Sequence, residues 1–348
     1  MECYINSFTL LNISMKTRFL TIIALAAVTL SSCSKNDDNS TGVLPEDGVM
    51  RVFTQVEDMT TRAGVTNTLL GANGFGMFVT NSANPIYTYS NQQWTKSGST
   101  WQCVTPLIWQ NASTSVDIIA YYPYNAAWNS SSTAQNITIA ADQNVNGGEG
   151  LTAADYLYAS STVTPSGTQN TTNDIYYDAA LKGLNVSLKH RMAKLKIAIT
   201  LGTEHNATAM TANPITNLKL NGAKLQATWK LSNNTLSAPT GSIITITPFA
   251  SRYVNAQGAT PVDSPFTPGI AEYECILLPQ TIAAGTLSAT ITIGGNEYTW
   301  TSDDTSGVSF EAGKQYSLKF STGASMLVLG QFSATDWQGN TDENLTTD

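Results

Sequence analysis

Val186-Ser187-Leu188-Lys189-His190-Arg191-Met192-Ala193-Lys194-Leu195-Lys196-Ile197-Ala198-Ile199-Thr200 is the stretch that decides the fold. Val186, Leu188, His190 and Met192 alternate on even positions, and Leu195, Ile197 and Ile199 then alternate on odd ones. A strand has a side-chain period of two, so each run reads as a strand with one buried face. The change of parity requires a bulge or a break between Met192 and Leu195. A domain boundary is placed in or near this region, and its flank Asp178–Gly183 reads as a connection. The cations from Lys182 to Lys196 read as one solvated face of this pattern rather than as a ligand patch.

Working outward, the β signal continues almost throughout. Strands are expected at Gly76–Thr80, Ile86–Ser90, Val116–Tyr122, Ile137–Ala140 and Tyr156–Ala159 before the decisive stretch. Within and after it they are expected at Asn185–Lys189, Leu195–Thr200, Leu218–Leu220, Ser242–Thr247, Tyr273–Leu278, Leu287–Ile293 and Tyr316–Phe320. These runs are short, rich in β-branched and aromatic residues, and separated by Gly, Asn, Pro or Ser. Asn221-Gly222 and Gly294-Gly295-Asn296 mark tight reversals. The fold class is therefore all-β, with two sandwiches expected over 63–185 and 186–339 and a polar tail over 340–348.

The 348 residues carry a net charge of -8, with 42% hydrophobic and only 12% charged side chains. That supports real cores and excludes nucleic acid as a partner, since neutralising phosphates takes clustered cations.

The N-terminal segment reads as a targeting signal that does not begin at Met1. Residues 1–14 read as a misassigned start, and 15–32 as a signal peptide. Met15-Lys16-Thr17-Arg18 gives a cationic start, and Phe19 to Leu30 an apolar run. Spanning a bilayer takes about 20 residues, so this run is too short to be a membrane anchor. Leu30-Ser31-Ser32-Cys33 resembles a bacterial lipobox, in which Cys33 is acylated and becomes the first residue. Ordinary cleavage nearby with an incidental cysteine is the alternative. Residues 33–62 then form a lipidated tether and an N-terminal strand, with Val49, Met50, Val52, Phe53, Thr54 and Val56 in the strand and Met50, Val52, Thr54 and Val56 on one side. Cys103 and Cys275 are expected to be buried free thiols, with a disulfide between them as the alternative.

Catalytic chemistry finds no support. His190 and His205 are the only histidines, and no zinc spacing, nucleophile elbow or phosphate-binding glycine motif occurs. Asp304-Thr305-Ser306-Gly307 reads as a turn. Asp303-Asp304 and Asp37-Asp38 lack the spacing of a calcium loop and read as turn and tether. No enzyme, metal or cofactor is expected. Trp94, Trp101 and Trp128 could stack on sugars if exposed, although tryptophans at strand spacing more often fill cores.

Several of these segments together resemble the fimbrillin family of Bacteroidota. They are Cys33-Ser34-Lys35-Asn36-Asp37-Asp38, Thr61-Arg62-Ala63, Gly74-Phe75-Gly76-Met77-Phe78-Val79 and Ala120-Tyr121-Tyr122-Pro123-Tyr124. His190-Arg191-Met192-Ala193-Lys194-Leu195, Leu277-Leu278-Pro279-Gln280 and Thr335-Asp336-Trp337-Gln338-Gly339 complete the set. The resemblance implies two tandem transthyretin-like Greek-key sandwiches in a lipid-anchored, surface-exposed outer-membrane precursor of fimbriae. It implies cleavage between Arg62 and Ala63 by an arginine-specific protease, removing the strand over Val49–Glu57. A strand from another subunit would refill the groove, with Met326, Val328, Phe332 and Trp337 in the donor region. Gln331–Gly339 reads equally well as the last strand of a closed second domain. A tip subunit would accept a strand without offering one, and an anchor would keep Cys33 uncleaved. Implied partners are other fimbrial subunits, the protease, the lipoprotein export machinery and a host or microbial surface receptor or glycan. The alternative reading is a stand-alone surface glycan-binding lipoprotein.

Overall fold

The computed structural model describes residues 42–56, 67–209, 211–258, 267–323 and 326–337. Cys33, Arg62, Ala63 and the tail over 340–348 lie outside the described residues.

Strands dominate. In chain order they are β1 Val52–Val56, β2 Phe75–Thr80, β3 Tyr89–Ser97, β4 Thr100–Cys103, β5 Val116–Tyr122, β6 Ala134–Thr138 and β7 Leu157–Val163. There follow β8 Ile175–Asp178, β9 Gly183–His190, β10 Ala193–Thr200, β11 Ile215–Asn221, β12 Lys224–Lys230, β13 Thr235–Leu236, β14 Thr240–Ile243 and β15 Phe249–Val254. The last are β16 Ile270–Leu277, β17 Gln280–Ile282, β18 Ser288–Ile293, β19 Asn296–Thr301, β20 Val308–Phe310, β21 Lys314–Thr322 and β22 Leu327–Asp336. Short helices, such as Asn67–Asn73 and Glu149–Ala153, only punctuate them.

The parity change falls where the chain changes sheets. Leu184, Val186, Leu188 and His190 of β9 are buried, as are Leu195, Ile197 and Ile199 of β10. β9 belongs to an eight-stranded sheet ordered β1-β9-β7-β5-β2-β3-β4, with β8 also on β9. Two residues later β10 lies at the centre of a five-stranded sheet, β15-β16-β10-β21-β22. Asp178–Gly183 is a connection, the hairpin turn between β8 and β9, which pair antiparallel from Asp178↔Gly183. Two expectations need correction. Ile86 lies in a single 3-10 turn, started by Pro85 and capped by the Asn84 side chain, so the strand begins at Tyr89. The cationic stretch is not one solvated face, since Lys194 is fully buried.

The eight-stranded sheet curls until its ends meet, giving a nearly closed barrel. β1 and β4, the two ends of the strand order, touch each other. Inside are Phe75, Met77, Val79, Trp94, Ile118 and Leu184, among others. On the outer side of the same strands, Gly76 allows a large ring to cross the sheet. A Cβ at Gly76 would lie 2.2 Å from the Tyr121 ring, which is itself stacked on Phe78 and Trp128. Gly76→Ala is therefore expected to cost about 1–3 kcal/mol through overpacking. The urea midpoint checks this, and adding Tyr121→Leu should recover part of the loss because the two positions share one clash.

The two halves of the chain share a core. β6, from the first half, pairs antiparallel along β12 from Ala134↔Lys230 to Thr138↔Gln226. The Trp229 ring of β12 meets Trp128, Tyr156 and Tyr158 at 5.8–6.2 Å between centroids. The Tyr158 hydroxyl donates to the carbonyl of Leu231 at 2.7 Å. Buried aromatics with satisfied polar tips make a directional seal between the halves.

Candidate functional site

The candidate site is the seam that β1 closes. β1 runs parallel to β9, with Val52 opposite Leu184 and Val56 opposite Leu188. The Arg51 carbonyl accepts from the Leu184 N–H at 2.8 Å, and the Gln55 amide donates to Ser187 at 2.9 Å. Just before β1, the Met50 N–H donates to Leu107 at 2.7 Å and the Trp109 N–H to Gly48 at 2.9 Å. The segment is thus held on both sides, by β9 and by the chain that follows β4. Met50, Val52 and Val56 are buried in the barrel core, Thr54 is half-buried, and Phe53 points outward. This places the sequence-predicted inward residues as expected from period-two alternation.

Along β4 the closure is incomplete. A cleft of about 350 Å³ remains there, lined by Met50, Phe53, Trp94, Trp101, Cys103 and Leu107. Trp94 is buried against Phe75, and its indole N–H has no hydrogen-bond partner. Trp101 is half-buried with its edge on Phe75 at 5.1 Å. Cys103 is a half-buried free thiol whose pKa is pushed up by burial. Cys275 is fully buried and also free, its pKa raised by burial. Trp128 lies in the other core, so the three tryptophans do not gather on one face. Of the three, Trp94 and Trp128 are buried and Trp101 is half-buried. Among the described residues no cluster of His, Cys, Asp or Glu could hold a metal ion.

The donor-region residues lie at the far end of the molecule's second sheet. β22 pairs antiparallel with β21 and forms its edge, with a register shift at Gly330 between Leu329↔Phe320 and Gln331↔Lys319. Met326, Val328 and Phe332 are 57%, 46% and 44% exposed, whereas Trp337 is buried. An edge strand carrying exposed apolar side chains is unusual, because it invites pairing with another chain.

Sequence reasoning missed a buried polar group beside Trp337. His190 Nδ1 lies 3.0 Å from Asp155, and the imidazole stacks on the Trp337 ring at 3.8 Å. Lys194 Nζ sits 5.7 Å from the centre of the same ring and 3.9 Å from Glu274. His190 sits at a buried even position, a signal available in the alternation; its partners, far away in sequence, were not.

Solved structures share the fold, two of them as follows. A candidate cell adhesion protein from Bacteroides uniformis aligns at TM-score 0.55 with 16% identity, covering 84% of this chain and 100% of its own. One from Bacteroides ovatus aligns at TM-score 0.55 with 15% identity, covering 84% and 99%. No match is found among curated proteins. Residues 61–337 match the family described as Fimbrillin-like, and the chain belongs to that family.

Proposed function

We propose that this chain is a non-catalytic structural or adhesive subunit of surface fimbriae, made as a lipidated precursor and assembled by strand exchange at the β1 seam. In this reading an arginine-specific protease cuts after Arg62 and β1 leaves β9. The emptied edge of β9 and the pits of Met50, Val52 and Val56 are then costly in water, so an incoming strand is captured. A head-to-tail contact of this kind need not close on itself and so grows a filament.

The observation that carries the reading is an internal likeness between the strand in the seam and the exposed edge strand. Met50-Arg51-Val52-Phe53-Thr54-Gln55-Val56 and Met326-Leu327-Val328-Leu329-Gly330-Gln331-Phe332 share Met, Val and Gln at the same places. The inward set of the first is Met50, Val52, Thr54 and Val56. Its counterpart, Met326, Val328, Gly330 and Phe332, contains the side chains that β22 leaves exposed on its own subunit. Straightening the register shift at Gly330 would bring them onto one face, in the pattern the seam accepts.

Cys103 reports on the seam. Its thiol is slowed by burial, which disfavours the thiolate. After cleavage at Arg62 and separation of residues 33–62, Cys103 should react with a maleimide at least tenfold faster, while Cys275 stays silent. A peptide spanning 326–337 should restore slow labelling, and the same peptide with Val328→Asp should not. Unchanged labelling after separation, or indifference to the peptide, would count against strand exchange at this seam.

A further inference from the structure

We propose that Trp337 is a latch that holds β22 on its own subunit and must be released before that strand can pair elsewhere. The purpose of the latch rests on the strand-exchange reading above; its existence does not.

β22 is held by its ladder to β21, with Phe332 stacked on Tyr316 and Asp336 paired with Lys314, all from the same neighbour. It has a neighbour on one side only, its ladder is interrupted at Gly330, and only Leu327 within it is buried. Trp337, immediately after the strand, is different. Its backbone N–H donates to the Gly313 carbonyl at 2.8 Å, and the Gly313 N–H donates in turn to Met192 at 2.9 Å. Its ring lies nearly parallel to the His190 imidazole, 11° between planes, with Lys194 Nζ near the same ring. Asp155 fixes the imidazole, and Glu274 lies beside the ammonium. Strands from both sheets therefore meet around one indole, β9 through His190 and β10 through Lys194, with Glu274 of β16 beside that ammonium.

The fit is tight but incomplete, which suits a device that opens. The indole N–H is buried with no acceptor. Leaving the cradle would let that group hydrogen-bond to water, offsetting part of the lost ring contacts. The latch also shares a strand with the seam. Val56 of β1 pairs with Leu188, two residues before His190. Removal of β1 thus acts on the strand that carries the latch's main contact.

Hydrogen–deuterium exchange on the intact, uncleaved chain tests this without reference to assembly. Trp337→Ala should raise exchange across residues 327–336 by tenfold or more, with β16 and β18 unchanged. Trp337→Phe keeps a ring for His190 to stack on and should stay within about threefold of the native protein. If Trp337→Ala leaves β22 protected, or speeds β10, β16 and β18 equally, Trp337 is an ordinary core residue and the latch is refuted. A Trp337→Ala chain that frees β22 yet fails to bind cleaved copies would uphold the latch and sink the donor role.

Discussion

Cleaved after Arg62 and separated from residues 33–62, the chain should be less stable by roughly 5–9 kcal/mol than the nicked form that still holds β1. Three side chains set that figure. Met50, Val52 and Val56 are each almost wholly buried in the barrel, and each such burial contributes about 1.5–3 kcal/mol. The backbone adds to it, because the β9 edge from Leu184 to Leu188 loses its parallel partner. A loss of this size lowers the melting temperature by about 10–20 °C or more in a chain of this size. The comparison must be with the nicked complex, so that peptide-bond cleavage alone is not mistaken for strand loss. Urea denaturation of the two forms measures the difference directly. Adding the 326–337 peptide should recover part of it by mass action. A difference under about 1 kcal/mol, which surface changes commonly produce, would mean that β1 is not an element of the core.

The same arithmetic explains why the seam suits a switch. A strand that contributed little could be lost without creating demand for a replacement. One buried in the middle of the sheet could not leave without unfolding its neighbours. β1 is strongly buried through its side chains, yet it sits at the end of the strand order and runs parallel to a single well-paired neighbour. It is costly to lose and topologically free to go.

Much of this was legible in the sequence wherever one face of a strand is buried and the other is wet. β9 and β10 declared themselves by alternation, and so did Met50, Val52 and Val56 ahead of them. β5 was found at its observed bounds, Val116–Tyr122, because its apolar residues are bracketed by turn formers. The signal failed where packing is made by distant partners. Lys194 looks like a surface cation in a strand of alternating lysines, but Trp337, just after β22, and Glu274 of β16 cover it. β22 was read only in outline, as a last strand over Gln331–Gly339 or as a donor region holding Met326, Val328, Phe332 and Trp337, because Gly330 breaks the alternation of Leu327 and Leu329 against Phe332. β6 read as part of the first half, and nothing local announced that Trp229 and its strand would pair with it. The tryptophans were ambiguous for the same reason: an indole at strand spacing looks alike whether it faces a core or a sugar.

The second large effect concerns how the halves of the chain are bolted together. Gln143→Leu should cost roughly 3–5 kcal/mol, although it replaces one buried side chain with another of similar size. Gln143 is fully buried, and its amide behaves as a piece of β-ladder. Its nitrogen donates to the Ile276 carbonyl at 2.7 Å, and its oxygen accepts from the Ile276 N–H at 2.7 Å. The register between β15 and β16 ends at Glu274, so Gln143 supplies the partner that β15 does not provide for Ile276. The loop's own backbone joins in, because the Gln143 N–H donates to the Thr247 carbonyl at 2.9 Å. Leucine keeps the volume and removes both hydrogen bonds to Ile276, as well as the amide's donation to the Ala140 carbonyl at 3.2 Å, leaving the two buried backbone groups of Ile276 unsatisfied at about 1–3 kcal/mol each. Gln143→Glu separates this from a packing defect. At neutral pH a buried carboxylate can accept from the Ile276 N–H but cannot donate to its carbonyl, and burial opposes its charge. Burial raises that carboxyl's pKa, so the variant should be weak at pH 7 and regain stability as the pH falls through the raised value. There the neutral acid both donates and accepts, as the amide does. Equal urea midpoints for Gln143→Glu at pH 7 and pH 5, or a Gln143→Leu protein as stable as the native one, would show that the halves are held by the β6–β12 ladder and the aromatic seal around Trp229, without Gln143.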